Sequence, residues 1–531
     1  MKIHDLPRQW YERPQYRPLL RDQGRESWFI LAREELTLRT LDNADCESRA
    51  EVGVADRAGL AAAIENTYEG WKLPRPPAAA AGIERLGKDE TLCVVTGQQP
   101  GFLGGPLYVL YKALTAIALA RWVEKRYGRA CVPVFWVAGE DHDIDEVRTA
   151  RFPGGESTAF SLPHPPGRAP LSSLPIDRES EAVIEEFLSH VSTSPHSEAV
   201  VELAGQYHGR TVASGFAALL ASLLGRHGLV FIDPEKLRPL SKPLVRQCIE
   251  RPAELIERLE EGSRELIDAG IKPFVSSRFP LFLVRAGSRD HLAPTENGLA
   301  IDGGGPGFDR RELLEELEEN PGSFSPGALL RPLIQDYLLP SVATVGGPAE
   351  AGYFAQLGPL SEWLGVARPR LVLRFQGTVL AGKGLRSWRE LAADANRLAA
   401  ALCPEDLVAL DEDHGELEEV REIRERLATL GEGLTGEGSG SRSLERGLRT
   451  AHESLLRLEG RIRKVQARGD AAWEMASSCW EQLLPGGKLQ ERRWGYLHLI
   501  GDHGTDWLDS IIEEIGKDPF SLSPRLLEFE P

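Results

Sequence analysis

Glu140, Asp141, His142, Asp143, Asp145 and Glu146 stand almost side by side in the segment GEDHDIDE, 139–146. Such a density of acids repels itself unless solvent, a cation or a substrate amine offsets it. His142, set between carboxylates, has its protonated form favoured, which suits general acid/base or orienting work. Glu140, His142 and Asp143 are therefore the candidate catalytic groups, and Asp141 a candidate for holding substrate. A solvated acidic loop is the plainer alternative. Asp143, His142 and Glu146 could also face a metal, but one short loop rarely supplies a full ligand set, and no metal ligand is assigned.

A second cluster precedes it. In TGQQPGFLGGP, 96–106, glycines let the backbone approach a ligand, and the helix that follows offers free N–H groups to an anion. Thr96, Gly97, Gln98, Gln99 and Gly105 are the candidate binding positions, joined by Tyr108 and Lys112 in the first turns of the helix. The loop is neither a P-loop, since no Lys-Ser/Thr follows Gly105, nor a GxGxxG fingerprint. Taken by itself it is a weak signal and reads more readily as a structural turn than as a ligand loop. Two further clusters carry charge. Arg331, Gln335, Tyr353 and Gln356 flank Gly346-Gly347-Pro348, and Arg331 could fork onto a carboxylate or form an ordinary helix-surface ion pair. Lys488 and Arg492, after Gly486-Gly487, could meet a phosphate, as in a nucleotide, or simply face solvent.

The elements that must position these residues follow from periodicity. Leu92–Val95 and Val132–Val137 are short apolar runs of strand type, and Pro106–Tyr127 between them has helical spacing. This is a βαβ unit with both polar clusters at the carboxyl ends of its strands, the edge where open α/β sheets bind ligands. Alternation continues with a helix near 211–225, a strand ending at Asp233, a helix around 251–268 and a strand-like run at Leu281–Val284. A turn at 302–307 follows, and 326–357 reads as helix, strand, Gly-Gly-Pro turn and helix before a strand in 368–375. Beyond this, Leu444, Leu448, Ala451, Leu455, Leu458, Ile462 and Val465 step by fours and threes in a heptad seam. With the apolar face of 417–430 and the loop 431–443, they predict an antiparallel helical hairpin.

The chain has 531 residues, enough for two to four domains at about 100–200 residues each. We divide it into a core at 1–375, a helical coiled-coil domain at 376–483 and a C-terminal segment at 484–531 that returns to the core. A net charge of −18 argues against a broad nucleic-acid footprint. No signal-peptide pattern opens the chain and no apolar run reaches membrane-span length, so a cytoplasmic protein is expected. The six cysteines are scattered without CxxC or zinc spacing.

Together TGQQPGFLGGPLY, VPVFWVAGEDHDIDEV, LLRPLIQDYLLPSVATVGGPAEAGYFAQL and LLPGGKLQER resemble the bacillithiol synthase family, the cysteine-adding enzymes that end bacillithiol biosynthesis. The likeness spans roughly residues 90–495. It implies an α/β fold with a Rossmann-like parallel-sheet core, connecting-peptide insertions akin to class I aminoacyl-tRNA synthetases, and a coiled coil supporting a homodimer. It also implies amide formation between L-cysteine and the amine of glucosaminyl-malate, with Arg331 and Lys112 as candidates for the malyl carboxylates. The first βα turn lacks the His-x-Gly-His of the synthetases, so ATP enters by analogy only. The competing readings are a metal-dependent hydrolase using the acidic loop, and a non-enzymatic coiled-coil dimer that binds a small metabolite.

Overall fold

The computed structural model describes residues 1–6, 45–47, 49, 56–88, 90–153, 158–165, 169–268, 272–285, 288–296, 298–391, 415–432, 447–448, 450–451, 454–455, 458, 471–521 and 523–530. The chain divides into two units, one formed by Arg17–Gln376 with Glu491–Leu522, the other by Met1–Tyr16, Gly377–Gln490 and Ser523–Pro531.

The larger unit is built on five parallel strands: β1 (Leu92–Gln98), β2 (Cys131–Val137), β3 (Val230–Ile232), β4 (Ser341–Gly346) and β5 (Arg370–Leu373). Their spatial order is β5-β4-β1-β2-β3. The direction of winding reverses between β1 and β4, and that switch point opens a crevice at the carboxyl edge. The sheet is covered on both faces, so β2 reads CVPVFWV with every residue buried. β1 runs three residues past the apolar stretch legible in sequence. Gly97 and Gln98 stay in register with Trp136 and Val137, and ladder bonds rather than side-chain polarity set the strand's end.

Helix α1 (Leu107–Tyr127) joins β1 to β2. Pro106 caps its start, where a missing N–H costs nothing, and Gly128 ends it at φ 66° in the left-handed region. Nearly all of its middle turns are buried, since both a sheet face and surrounding helices pack on it.

The strand-like run at 281–284 does not extend the parallel sheet. Between β3 and β4 the chain forms a separate antiparallel sheet, in the order Gly307–Asp309, Gly298–Ile301, Ser288–Pro294, Leu281–Arg285, Phe324–Pro326. Its first strands follow one another through short connections and pair as hairpins, whereas a parallel partner needs a long crossover. The chain then returns through α2 (Arg331–Leu338) to β4 and on into α3 (Pro348–Ala355), the predicted helix, strand, Gly-Gly-Pro and helix.

In the smaller unit Lys2–Asp5 pairs antiparallel with Arg525–Phe529, which pairs in parallel with Gly377–Ala381. Gly415–Glu432 is helical. The loop 433–443 and the seam residues Leu444, Ile462 and Val465 lie outside the described residues, while Leu448, Ala451, Leu455 and Leu458 are helical. Among the described residues no helix is long and apolar enough to cross a membrane. Cys93 and Cys131 are fully buried in the sheet, and burial pushes the Cys93 thiol up to about 12, so both are inert packing groups.

Candidate active site

A cavity of about 790 Å³ opens at the switch point. Its floor is the end of β1, with Gly97, Gln98 and Gln99, and the start of α3, with Gly347, Pro348 and Glu350. One wall comes from the acidic loop after β2 (Glu140, Asp141, His142 and Glu146) and another from Arg289 and Phe282 of the antiparallel sheet. Arg331, Tyr353, Arg374 and Arg492 line the remainder, with Tyr108 and Lys112 of α1.

The acidic loop has its shape because two of its residues are apolar. Ile144 and Val147 bury against Leu171, which turns the neighbouring charged residues outward. The Asp141 carboxylate then organises the turn. One oxygen accepts from the His142 backbone N–H at 2.7 Å and from that of Asp143 at 3.3 Å, and the other accepts from Gln99 Nε2 at 2.7 Å. Partial burial opposes its ionisation. The Gln99 bond, the field of Arg289 and the two backbone donors outweigh burial and hold it below the usual carboxylate range. Asp141 therefore faces the cavity as a fixed anion. The His142 ring stands beside it, with Nδ1 3.8 Å from Asp141 Oδ1.

Glu140 is buried and clamped by Arg238, whose Nε and Nη2 lie 2.8 and 2.7 Å from Oε1. Behind this pair Asp233, at the end of β3, is pushed up to about 7 by burial and by the neighbouring Glu235. Asp143 is exposed and does not line the cavity.

The cationic groups divide into committed and open ones. The Lys112 ammonium is buried and gives its three protons to Glu350 Oε2 (2.5 Å), Gln98 Oε1 (2.8 Å) and Gly97 O (2.9 Å). Burial lowers its pKa, and Glu350 pulls the other way. Glu350 Oε2 also accepts from Gly347 N at 2.8 Å, so the pair ties the end of β1 to the start of α3 across the switch. Arg374 is likewise anchored, bidentate on Glu491 at 2.9 and 2.6 Å, with its guanidinium 5.6 Å from the Tyr108 ring centre. Arg331 donates to the Tyr353 hydroxyl at 3.2 Å and presents the rest of its fork to the cavity. Arg492 is exposed at the rim. Lys488 is exposed in the smaller unit.

Besides Asp143 and Lys488, four of the sequence candidates do not line the cavity. The Thr96 hydroxyl donates to Val345 O across the sheet at 2.9 Å. Gly105, at φ 74°, turns the chain into α1. Gln335 is buried with Nε2 3.5 Å from Thr344 Oγ1. Gln356 is fully enclosed: its oxygen accepts from Phe274 N and Val275 N, and its nitrogen donates to Val275 O and Ser263 Oγ. Conversely, Arg289, Arg374 and Arg238 reach the site without having been singled out. Arg374 lies in the RPRLVLRF strand, where its position after the last apolar residue was the available signal. Arg289 comes from a surface-like hairpin whose fold over the sheet edge no local pattern reveals.

Among the described residues no group of three or more His, Cys, Asp or Glu side chains is placed to hold a metal. The arrangement is one of fixed carboxylates and an imidazole on one side and guanidinium forks on the other. It can hold an amine and an acid in one molecule, and move a proton between them.

Residues 35–375 match the family model described as bacillithiol biosynthesis BshC, N-terminal Rossmann-like domain. Proteins provisionally named cysteine ligase BshC are similar over most of their length. The one from Salinibacter ruber is 30% identical over 87% of this chain and 88% of its own, and that from Koribacter versatilis 32% over 88% and 89%. The one from Solibacter usitatus is 31% identical over 86% and 87%. The chain belongs to the BshC family of cysteine ligases of bacillithiol biosynthesis.

Proposed function

We propose that the cavity joins the carboxyl group of L-cysteine to the amine of glucosaminyl-malate, the last step of bacillithiol formation. The observation that carries this reading is the division of the cavity into an anionic side and a cationic side. An aminosugar bearing a malyl group has the matching polarity. Its amine faces Asp141 and His142, and its carboxylates face the open fork of Arg331.

Amide formation needs a neutral amine and an activated carboxyl. The amine nitrogen attacks the cysteinyl carbonyl carbon, the C–O bond to the activating group breaks with its electron pair going to the leaving oxygen, and the amine's proton passes to a base. His142 is the proposed base. Asp141 orients the amine, and Glu140, held by Arg238, is a second anion behind it. Asp143 is too exposed to share this work except as part of the loop's turn. Gln98 and Gln99 present amides to the sugar hydroxyls. ATP as the activator rests on analogy of fold, with Arg492, at the rim of the cavity, the residue assigned to it. The heptad seam supports a coiled-coil homodimer, the inserted antiparallel sheet a connecting-peptide role, and the scattered cysteines a cytoplasmic location; all three belong to the same proposal.

Steady-state kinetics of Arg331→Ala test the orientation. The expected result is a KM for glucosaminyl-malate raised about tenfold or more, with the KM for cysteine unchanged. A KM change confined to cysteine reverses the two substrates in the cavity and rejects the assignment.

A further inference from the structure

A second cavity, of about 380 Å³, lies on the other side of α2 and α3. The two helices form a wall shared by both cavities. α2 gives Arg331 to the ligation cavity and Pro332 and Asp336 to the second, while α3 gives Glu350 and Tyr353 to the first and Ala351 and Phe354 to the second.

Three guanidinium groups line it: Arg49, Arg368 and Arg370. Among the described residues two carboxylates line it with them, Asp45 and Asp336. Asp45 is already committed to Arg370, at 2.8 Å from Nε and 2.7 Å from Nη2. Asp336 is fully buried, and burial pushes its carboxyl up to about 7 despite the opposing fields of Arg49 and Arg368. Among the described residues that line the cavity, guanidinium groups therefore outnumber carboxylates. Arg49 spends its terminal nitrogens on the carbonyls of Ala367, Asp336 and Leu339. Its Nε is buried with no acceptor among the described residues. Arg368 gives one Nη2 bond to Phe354 O at 2.6 Å, and burial lowers its pKa, with Asp336 alone opposing. A buried guanidinium nitrogen without an acceptor, as at Arg49, is costly unless an anion completes it.

We infer that this cavity binds a small anion carrying carboxylate or phosphate oxygens, and that it is a site separate from the ligation cavity. Arg368 supplies the fork, and Arg49 Nε supplies a further donor. Because α2 and α3 carry Arg331, Glu350 and Tyr353 on their other faces, an anion seated here bears directly on the helices that shape the ligation site.

Isothermal titration of the full chain with malate and, separately, inorganic phosphate tests this. Wild type, Arg331→Ala and Arg368→Gln are compared. The expected result is millimolar or tighter binding of at least one probe that survives Arg331→Ala and weakens about tenfold or more in Arg368→Gln. Which probe binds decides between a carboxylate and a phosphate source. Absence of binding by both probes, binding unaffected by Arg368→Gln, or binding lost in Arg331→Ala overturns the inference; the last result places the anion in the ligation cavity. Circular dichroism checks that Arg368→Gln is folded. If it is not, Arg368→Lys keeps the charge without the fork: reduced affinity supports the site, and wild-type affinity rejects it.

Discussion

The two loops at the carboxyl ends of β1 and β2 look alike in sequence, each a polar or glycine-rich cluster closing an apolar strand, yet they do different work. The glycine loop is a plug. Phe102 and Leu103 are fully buried, and the Tyr207 hydroxyl pins the backbone by donating to Gly101 O at 3.0 Å and accepting from Gly104 N at 3.3 Å. Leu103 sits at φ 50°, a conformation that costs a non-glycine residue about 1–3 kcal/mol unless its surroundings enforce it. Only the loop's shoulders, Gly97–Gln99 on one side and Pro106 and Tyr108 on the other, reach the cavity. The acidic loop reverses this arrangement. Its apolar residues anchor it, and Glu140, Asp141, His142 and Glu146 face the cavity. Glycine density marks where chains pack closely, and that need not be where a ligand lies.

Three substitutions test the contrast. The largest effect is expected at His142. His142→Ala should lower kcat by about 10²–10⁴-fold while leaving the melting temperature near wild type, because the ring is neither core nor cap. Bacillithiol at wild-type level in a strain relying on that variant would remove His142 from the chemistry. Next is Gly104→Ala. The residue sits at φ 86°, and a Cβ there would lie 2.2 Å from the buried Tyr496 hydroxyl oxygen. A loss of about 2–5 kcal/mol in denaturant unfolding is expected, from backbone strain plus overpacking. The folded fraction should keep its kcat. Unchanged stability with lost activity would make the glycine loop a ligand loop after all.

The smallest effect concerns Asp233, behind the acidic loop. Its folded pKa of about 7 lies above the unfolded value of about 3.9. The folded state thus holds a proton that the unfolded state has released, so this group's contribution falls as pH rises between those values. Asp233→Asn keeps an acceptor for Glu235 N, bonded at 3.1 Å, and should remove the slope. Melting curves from pH 5 to pH 8 should show the variant gaining on wild type as pH rises; a constant difference would contradict the buried protonated carboxyl.

Much of this was legible in the sequence. The runs 92–95 and 132–137, the helix between them and the Gly-Gly-Pro turn at 346–348 lie where periodicity put them, because each is decided by neighbours a few residues away. GEDHD was legible for the same reason. What a side chain bonds to across the fold was not. Thr96, Gln335 and Gln356 have the chemistry of binding residues, but their partners Val345, Thr344 and Val275 become neighbours only on folding. Lys112 reads as an open cation until Glu350, 238 residues later in the chain, closes on it. Arg374 meets Glu491 across 117 residues. Long-range pairing decides which charges are committed, and spacing alone carries no record of it.

The most direct test of the account is to incubate the purified protein with L-cysteine and glucosaminyl-malate, with and without ATP, and to follow products by mass spectrometry for wild type and Asp141→Asn. The account predicts the cysteinyl amide of glucosaminyl-malate from wild type in the presence of ATP, accompanied by AMP or ADP, and little or none from Asp141→Asn. Amide formed equally well by Asp141→Asn, or none formed by wild type under either condition, would contradict the placement of this ligation in the cavity between β1 and β4.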